Sequence, residues 1–288
     1  MSTPYAEAFF DPQTSTYSYV VHTLGNPQCA VIDPVLDYEP NSATTSTASA
    51  QKILDYISKN QLKLQWIIET HAHADHLSAA AWIQQQIGGK IAIGAPITRV
   101  QDTFKTIYNL GEHVKTNGEP FDMLFHAGEQ FKIGEALVDV LHVPGHTPAD
   151  MAYHVHGLGI FVGDTLFLPD VGSARCDFPG GNAEQLYDSA QKLLSFPEDT
   201  VLFMCHDYPP AGREEQYSCT VAEQRQHNIH LRDGISKAEF VHLRTERDAT
   251  LALPQLILPS LQVNIQAGKL PPAEEDGHQY LKLPLNRF

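Results

Sequence analysis

Three histidines and an aspartate lie within six consecutive residues, in the segment His71-Ala-His73-Ala-Asp75-His76. This segment directly follows an apolar run at residues 66–68 that is typical of a buried strand. In an extended chain His71 and His73 project the same way, whereas Asp75 and His76 lie on the next turn and approach the same point from another side. Imidazole and carboxylate groups are typical transition-metal ligands. The segment therefore predicts a centre with room for two adjacent metal positions.

Three later residues extend this group, and each follows an apolar run. His146 lies in Pro-Gly-His-Thr-Pro, Asp164 in Gly-Asp-Thr-Leu-Phe, and His206 in Cys-His-Asp-Tyr. Loops at the carboxyl ends of strands carry the sites of α/β folds, so we expect all three side chains to join the first group. The chain has 15 histidines, so the joint pattern supports this prediction more strongly than any one of the three residues.

The elements that must position these residues alternate between short apolar runs and helical patterns. The predicted strands cover residues 16–24, 29–32, 66–68, 90–93, 131–143 (as a pair), 151–156, 159–163 and 201–204. The predicted helices cover residues 52–59, 77–87, 97–110, 182–194, 221–231 and 236–247. Residues 41–50, which are rich in Ser, Thr and Ala, are predicted to form a loop. The order of elements predicts an α/β fold.

Composition narrows the class of protein. The chain has 288 residues, of which 42% are hydrophobic, and 19 Lys and Arg stand against 34 Asp and Glu, for a net charge of −15. This charge disfavours nucleic acid and anionic membrane surfaces as partners. The first ten residues lack an export pattern, and no run approaches the ~20 apolar residues of a membrane span, so we expect a cytoplasmic protein.

The four cysteines are widely spaced, which predicts reduced thiols. Cys176 is either a reactive thiol or a small buried residue.

The ordered motifs H-x-H-x-D-H, P-G-H-T and G-D-T-L-F, followed by a last histidine, resemble those of the metallo-β-lactamase superfamily over nearly the whole chain. The resemblance implies a four-layer αββα sandwich with its metal site at one edge, between two sheets. It also leads us to expect a catalytic domain over residues 1–250 and a C-terminal extension, 251–288, packed on the same domain. That extension could mediate a homodimer.

Within the superfamily, the stretch Gly-Ser-Ala-Arg-Cys-Asp-Phe at residues 172–178 resembles an element of the persulfide dioxygenases. The segment 206–208 and the tail at 258–271 resemble bacterial members of that group. The resemblance implies a single Fe(II) held by His71, His146 and Asp164, with open positions for a substrate sulfur and O2. The implied reaction oxidises glutathione persulfide with O2 and water to sulfite and glutathione, in sulfide detoxification.

Under this resemblance the remaining four residues of the group orient ligands and solvent; they are His73, Asp75, His76 and His206. The nearest sibling group, the hydroxyacylglutathione hydrolases or glyoxalase II, implies an alternative in which the same residues help to hold two Zn ions. The reagent would then be a metal-activated hydroxide acting on glutathione thioesters. A metal-stabilised binding module without turnover is a third alternative.

Glutathione carries two carboxylates, so an acidic protein that binds it needs local cations. Arg175 and Tyr208 match residues that contact glutathione in the resembling families. Arg247 is a further candidate for substrate binding, as are Arg213, Lys237 and Arg244, although long cations on helices are usually solvated.

Overall fold

The computed structural model of the protein describes residues 3–287. Met1, Ser2 and Phe288 lie outside the described residues, and the first two belong to the stretch assessed above for an export pattern. One six-stranded sheet has the order β1-β2-β3-β6-β8-β9. Its strands are β1 Pro4–Asp11, β2 Thr16–Thr23, β3 Gln28–Ile32, β6 Lys63–Ile68, β8 Lys90–Gly94 and β9 Met123–Phe125.

A second six-stranded sheet follows the chain order β10 to β15, and a small three-stranded sheet has the order β5-β4-β7. The strands of the second sheet are β10 Gln130–Ile133, β11 Ala136–His142, β12 Met151–Val155, β13 Gly159–Phe161, β14 Val201–Phe203 and β15 Ser218–Thr220. The small sheet contains β4 Val35–Glu39, β5 Thr44–Ser46 and β7 Leu77–Ser78. The helices are α1 Ala48–Lys59, α2 Ala80–Ile87, α3 Ile97–Tyr108, α4 Ala183–Leu194, α5 Val221–His227, α6 Lys237–Asp248 and α7 Ile257–Asn264.

The two large sheets pack face to face because alternate residues of their strands are apolar on the inner side. In β2, Tyr19 and Val21 lie in the core between the sheets with Tyr153 and Phe161 of the second sheet. Val20 points the other way, into a core shared with helices. A strand buried on both faces reads as a continuous apolar run, as the sequence shows here.

Helices cover the outer face of each sheet. Residues of α1, α2, α3 and α7 share a core with the first sheet, and residues of α4, α5 and α6 share another with the second sheet. The order helix, sheet, sheet, helix confirms the predicted four-layer α/β sandwich. Two predicted helix starts are also confirmed, since Asn182 caps α4 and Ser236 forms a capping box with Glu239.

Several predicted boundaries are wrong for tertiary reasons. The helix predicted from Leu77 begins at Ala80, because Leu77 and Ser78 pair with β4 as a strand. The predicted loop 41–50 includes β5 and the start of α1. The helix predicted to reach residue 231 ends at His227, where the Asn228 side chain accepts the N–H groups of the next turn.

The tail after residue 250 contains α7, which the apolar pattern did not predict. Ile257, Leu261 and Val263 are buried in the core shared with the first sheet. The division at residues 250 and 251 stays a prediction. Within residues 3–287, none of the helices combines the length and apolar character that crossing a bilayer requires.

Candidate metal centre

The predicted ligands meet at one edge of the sandwich because each follows the carboxyl end of a strand. His71 comes three residues after β6, and His146 follows β11 by four residues. Asp164 lies in a 3₁₀ turn directly after β13, and His206 follows β14. The structure therefore brings together residues that are 135 positions apart in the chain.

Three of these residues form a compact group around one carboxylate oxygen. Oδ2 of Asp164 lies 3.8 Å from Nε2 of His71 and 3.7 Å from Nε2 of His146. The ligand atoms of all three residues lie within 4.8 Å of one another, and the side chains are buried. Two imidazoles and a carboxylate at this spacing can hold one divalent transition-metal ion.

The other four predicted residues adjoin this group. Nε2 of His206 lies 3.3 Å from Asp164 Oδ1 and 3.4 Å from Asp75 Oδ2. The ligand atoms of His73, Asp75 and His76 come within 4.8 Å of one another. Asp164 therefore presents one oxygen to His71 and His146 and the other to His206.

Each of the five imidazoles contacts the protein outside the centre through one nitrogen, and its other nitrogen forms no hydrogen bond among residues 3–287. Such anchoring is how proteins set the tautomer of a metal-binding histidine. The anchored nitrogens lie near Thr70 Oγ1 for His71 Nδ1 (3.0 Å), Arg175 O for His146 Nδ1 (2.7 Å), Leu77 O for His76 Nδ1 (3.1 Å), Thr16 Oγ1 for His206 Nδ1 (3.2 Å) and Asp33 Oδ1 for His73 Nε2 (3.0 Å).

Six side-chain atoms of this group are buried and have no hydrogen-bond partner within the described residues. They are His71 Nε2, His73 Nδ1, Asp75 Oδ2, His76 Nε2, Asp164 Oδ1 and His206 Nε2. Buried polar atoms normally find partners because leaving them unpaired is costly, and a bound cation satisfies lone pairs of this kind. Burial lowers the pKa of His76 to about 3 and that of His71 well below its usual value, so both rings are neutral and able to ligate. The residues fit a resident metal.

A buried carboxylate that the sequence analysis missed supports the centre. Asp33 accepts hydrogen bonds from the N–H and Oγ1 of Thr70 at 2.7 and 2.8 Å and faces His73 Nε2 at 3.0 Å. Burial raises the pKa of Asp33, but its contacts with His73 and Thr70 outweigh burial, so the pKa lies below its usual value. The signal available in the sequence is its position directly after β3, the strand that neighbours β6 in the sheet.

A second missed residue is Asn264, at the end of α7. Its Nδ2 donates to the backbone oxygens of His73 and His76, both at 2.7 Å, and its Oδ1 accepts the N–H of Ser78 at 2.8 Å. This side chain therefore fastens the second half of the histidine-rich loop, from His73 onward, to α7. Nothing near Asn264 in the sequence indicates this contact.

The peptide between Arg175 and Cys176 links His146 to α6. Its carbonyl oxygen faces His146 Nδ1 at 2.7 Å, and its N–H donates to Asp248 Oδ2 at 2.9 Å. Asp248 in turn accepts from Arg244, and both are buried. Burial raises the pKa of Cys176 to about 12, with Asp248 adding to the shift, so its thiol stays protonated. Of the two alternatives for Cys176, a reactive thiol or a small buried residue, this supports the second.

A cavity of about 670 Å³ opens over the centre. Its lining includes all three residues named as substrate contacts, namely Arg175, Tyr208 and Arg247. The Arg175 guanidinium is already bound to Asp177 through two nitrogens at 2.6 and 2.7 Å. Arg247 is exposed and forms no ion pair within the described residues 3–287, so it is the lining cation with a free charge.

The remaining cations considered above are engaged elsewhere. Arg244 lines the cavity but is buried and paired with Asp248. Arg213 pairs with Asp170 and Asp207, and Lys237 pairs with Asp188. These contacts assign the three side chains to structural pairs.

His230, beneath the Arg175 segment, makes stability depend on pH. Its Nδ1 accepts the N–H of Ser173 at 3.1 Å, and burial, with Arg244 and Arg247, lowers its pKa to about 4. Because the pKa of a histidine in the unfolded chain is ~6.5, the unfolded state takes up the proton first as the pH falls. The contribution of His230 is therefore complete above about pH 6.5 and is lost toward pH 4.

As the pH is lowered from about 6.5 to 4, we expect the free energy of unfolding to fall more steeply in the wild type than in His230→Asn. Denaturant titrations at a series of pH values measure this. The exposed His242, replaced in the same way, is the matched control. Parallel curves for wild type and His230→Asn would contradict the assignment.

A four-layer αββα sandwich with a histidine and carboxylate centre at the edge between its sheets defines a class of metal-dependent proteins. The chain belongs to the metallo-beta-lactamase superfamily, whose family profile matches residues 11–206.

Relatives with different names share this fold. The chain is 48% identical to a probable metallo-hydrolase of Burkholderia pseudomallei, with 97% of this chain and 98% of the relative covered. It is 49% identical to glyoxylase B2 of Dictyostelium discoideum, with 97% and 96% covered. It is 26% identical to the mitochondrial persulfide dioxygenase ETHE1 of Homo sapiens, with 90% and 87% covered. The crystal structure of ETHE1 from Myxococcus xanthus superposes with a TM-score of 0.74 at 27% identity, over 92% of this chain and 100% of that one.

Proposed function

We propose that the protein is an Fe(II)-dependent persulfide dioxygenase that converts glutathione persulfide, O2 and water into sulfite and glutathione. The observation that carries the proposal is the arrangement of His71 and His146, which face one oxygen of Asp164 at 3.8 and 3.7 Å. Two histidines and one carboxylate are the ligand set of non-haem Fe(II) oxygenases. The 26% identity to the human persulfide dioxygenase over 90% of the chain supports the same reading.

The reaction balances without a further reductant. The outer sulfur of the persulfide loses four electrons, which O2 accepts, and water supplies the third oxygen of sulfite; the thiol and two protons are the other products. When bound, Fe(II) supplies vacant coordination positions where the persulfide sulfur and O2 meet.

The chain's own residues bind and orient the substrate. Phe167 and Phe178 line the cavity and restrict the access of water to the centre. The ring of Tyr208 stacks on His206 with the ring centroids 5.7 Å apart, and Tyr208 also lines the cavity. His206 faces the free oxygen of Asp164 and keeps the other oxygen directed at His71 and His146.

Arg247 binds a carboxylate of glutathione, because it is the cavity cation without an ion pair in the described part of the chain. Replacing Arg247 by Ala removes a contact that substrate and transition state share, so KM should rise about tenfold while kcat stays unchanged. Steady-state kinetics with glutathione persulfide measure both values. Arg247→Lys should recover part of the loss, and an unchanged KM in Arg247→Ala would remove this residue from the substrate site.

The activity test uses protein loaded with Fe(II) under anaerobic conditions. An oxygen electrode should record uptake when glutathione persulfide is added, with sulfite formed in equal amount. Elemental analysis should find about one iron per chain, as three protein ligands to one ion require. Two zinc ions per chain without oxygen uptake would overturn the proposal.

A dizinc hydrolase of glutathione thioesters is the second candidate function. Its supporting observation is that His73 Nδ1, His76 Nε2 and Asp75 Oδ2 are also buried without hydrogen bonds in the part of the chain that the structure describes, so candidate ligands for another ion lie beside the first group. Metal-bound hydroxide suits thioester hydrolysis. Release of free thiol from S-lactoylglutathione under strictly anaerobic conditions would favour this candidate.

A further inference from the structure

A second group of metal-ligating side chains lies away from the centre, on the outer face of the second sheet. Asp139 of β11 is paired directly across from His154 of β12. His156 follows two residues later, so it projects from the same face. This group lies near the end of β12, which pairs with the first half of β11. His146 follows the other end of β11, so the group and the candidate metal centre lie at opposite ends of that strand.

The three side chains converge on a single oxygen. Oδ2 of Asp139 lies 2.7 Å from His156 Nε2 and 3.3 Å from His154 Nδ1. The ligand atoms of all three residues lie within 4.8 Å of one another. The imidazole rings are stacked, with their centroids 4.7 Å apart and their planes at 26°.

Neighbouring residues hold this arrangement in place. Gln130 Nε2 donates to the other oxygen of Asp139 at 2.7 Å, which leaves Oδ2 directed at the imidazoles. The ring of Phe196 packs edge-on against His154 with the centroids 5.1 Å apart. Ligand atoms held on a rigid strand pair lose little freedom when they bind an ion.

We propose that Asp139, His154 and His156 form a binding site for a first-row transition-metal dication such as Zn²⁺, separate from the catalytic centre. Ligands at about 2.1 Å from a tetrahedral Zn²⁺ stand ~3.4 Å apart, which matches the 3.3 Å between His154 Nδ1 and Asp139 Oδ2. His156 Nε2 is hydrogen-bonded to the same oxygen at 2.7 Å, so this half-exposed ring moves outward by about 0.7 Å when the ion replaces that hydrogen bond. Solvent supplies the fourth ligand, since the His156 side chain is 45% exposed.

The chemistry of the donors favours this class of ion. Two imidazoles and one carboxylate suit Zn²⁺, Ni²⁺ and Cu²⁺ better than Mg²⁺ or Ca²⁺, which prefer oxygen ligands. The net charge of −15 adds a general attraction for cations.

The test is a Zn²⁺ titration of protein whose catalytic centre has first been loaded with metal. Isothermal titration calorimetry should show one more Zn²⁺ bound by the wild type than by His156→Ala, or an affinity that falls roughly tenfold or more in the variant. Asp139→Asn keeps the shape of the side chain but removes its charge, and it should show the same loss. Thermal unfolding checks that both variants are folded.

His242→Ala is the matched control, because His242 is an exposed histidine that faces Glu246 at 3.3 Å; it should bind the additional ion as the wild type does. Cu²⁺ added in place of Zn²⁺ should give an electron paramagnetic resonance spectrum with hyperfine structure from two imidazole nitrogens, absent in His156→Ala. Equal stoichiometry and affinity in the wild type and His156→Ala would overturn the proposal, as would loss of the ion in His242→Ala. These outcomes do not depend on the reaction at the catalytic centre.

Discussion

Replacing Asp164 by Ala is expected to remove the bound metal and to lower turnover by about 10³-fold or more, because the ion's stabilisation of the reacting groups amounts to several kcal/mol. Asp164 Oδ2 is the oxygen that faces both His71 and His146, and the two imidazoles alone leave an incomplete ligand set. Elemental analysis measures the metal content, and oxygen uptake with glutathione persulfide measures turnover.

The exposed Asp188, which pairs with Lys237 on the surface, provides the control for this experiment. Asp188→Ala removes a carboxylate of the same type and should keep both metal and turnover. A variant lacking the Asp164 carboxylate that still binds iron and turns over at the wild-type rate would contradict the ligand assignment.

His206→Ala distinguishes the two candidate functions. If His206 only orients Asp164, the variant should keep about one iron per chain and lose roughly 10- to 100-fold in activity, as is usual for residues that position a metal ligand. If His206 ligates a second zinc, the variant should lose one metal and nearly all of its thioester hydrolysis.

Replacing Arg213 by Ala is expected to destabilise the fold by about 3–5 kcal/mol, because it leaves a buried carboxylate without its counter-charge. Asp207 is fully buried and binds two nitrogens of Arg213 at 2.8 and 2.5 Å. It also accepts the N–H of Gln216 at 2.8 Å. Chemical denaturation, with the free energy of unfolding extrapolated to water, measures the change.

The control is Arg225→Ala, which removes an exposed arginine that pairs with the exposed Asp233 at 3.0 Å. Solvent screens such pairs, so we expect this variant to unfold with the wild-type midpoint. Arg213→Lys keeps the positive charge but cannot bind Asp207 through two nitrogens, so its free energy of unfolding should lie between those of Arg213→Ala and the wild type. Equal stability of Arg213→Ala and Arg225→Ala would show that Asp207 does not depend on the pair.

Part of the architecture could be predicted from local patterns. The alternation of strands and helices predicted an α/β fold, and the caps at Asn182 and Ser236 are visible as short-range signals. The four-layer order was implied only by the resemblance of the ordered motifs to the metallo-β-lactamase superfamily. The errors have a common cause. Leu77 and Ser78 carry a helical pattern but pair with β4, and α7 is stabilised by burial against the first sheet, so distant contacts outweigh local propensity in both places.

The candidate metal centre shows the same division between local and distant information. The sequence by itself determined the types of the candidate ligands and their placement after apolar strands, because dense histidine and carboxylate spacing is a local property of the chain. Only the tertiary structure decided which nitrogen of each imidazole faces the centre, that Arg247 lines the cavity without an ion pair among residues 3–287, and that Asp33, Asp248 and Asn264 support the segments that carry the candidate ligands. These features depend on hydrogen bonds between residues as far apart as His76 and Asn264, 188 positions from each other, and folding alone brings such groups together.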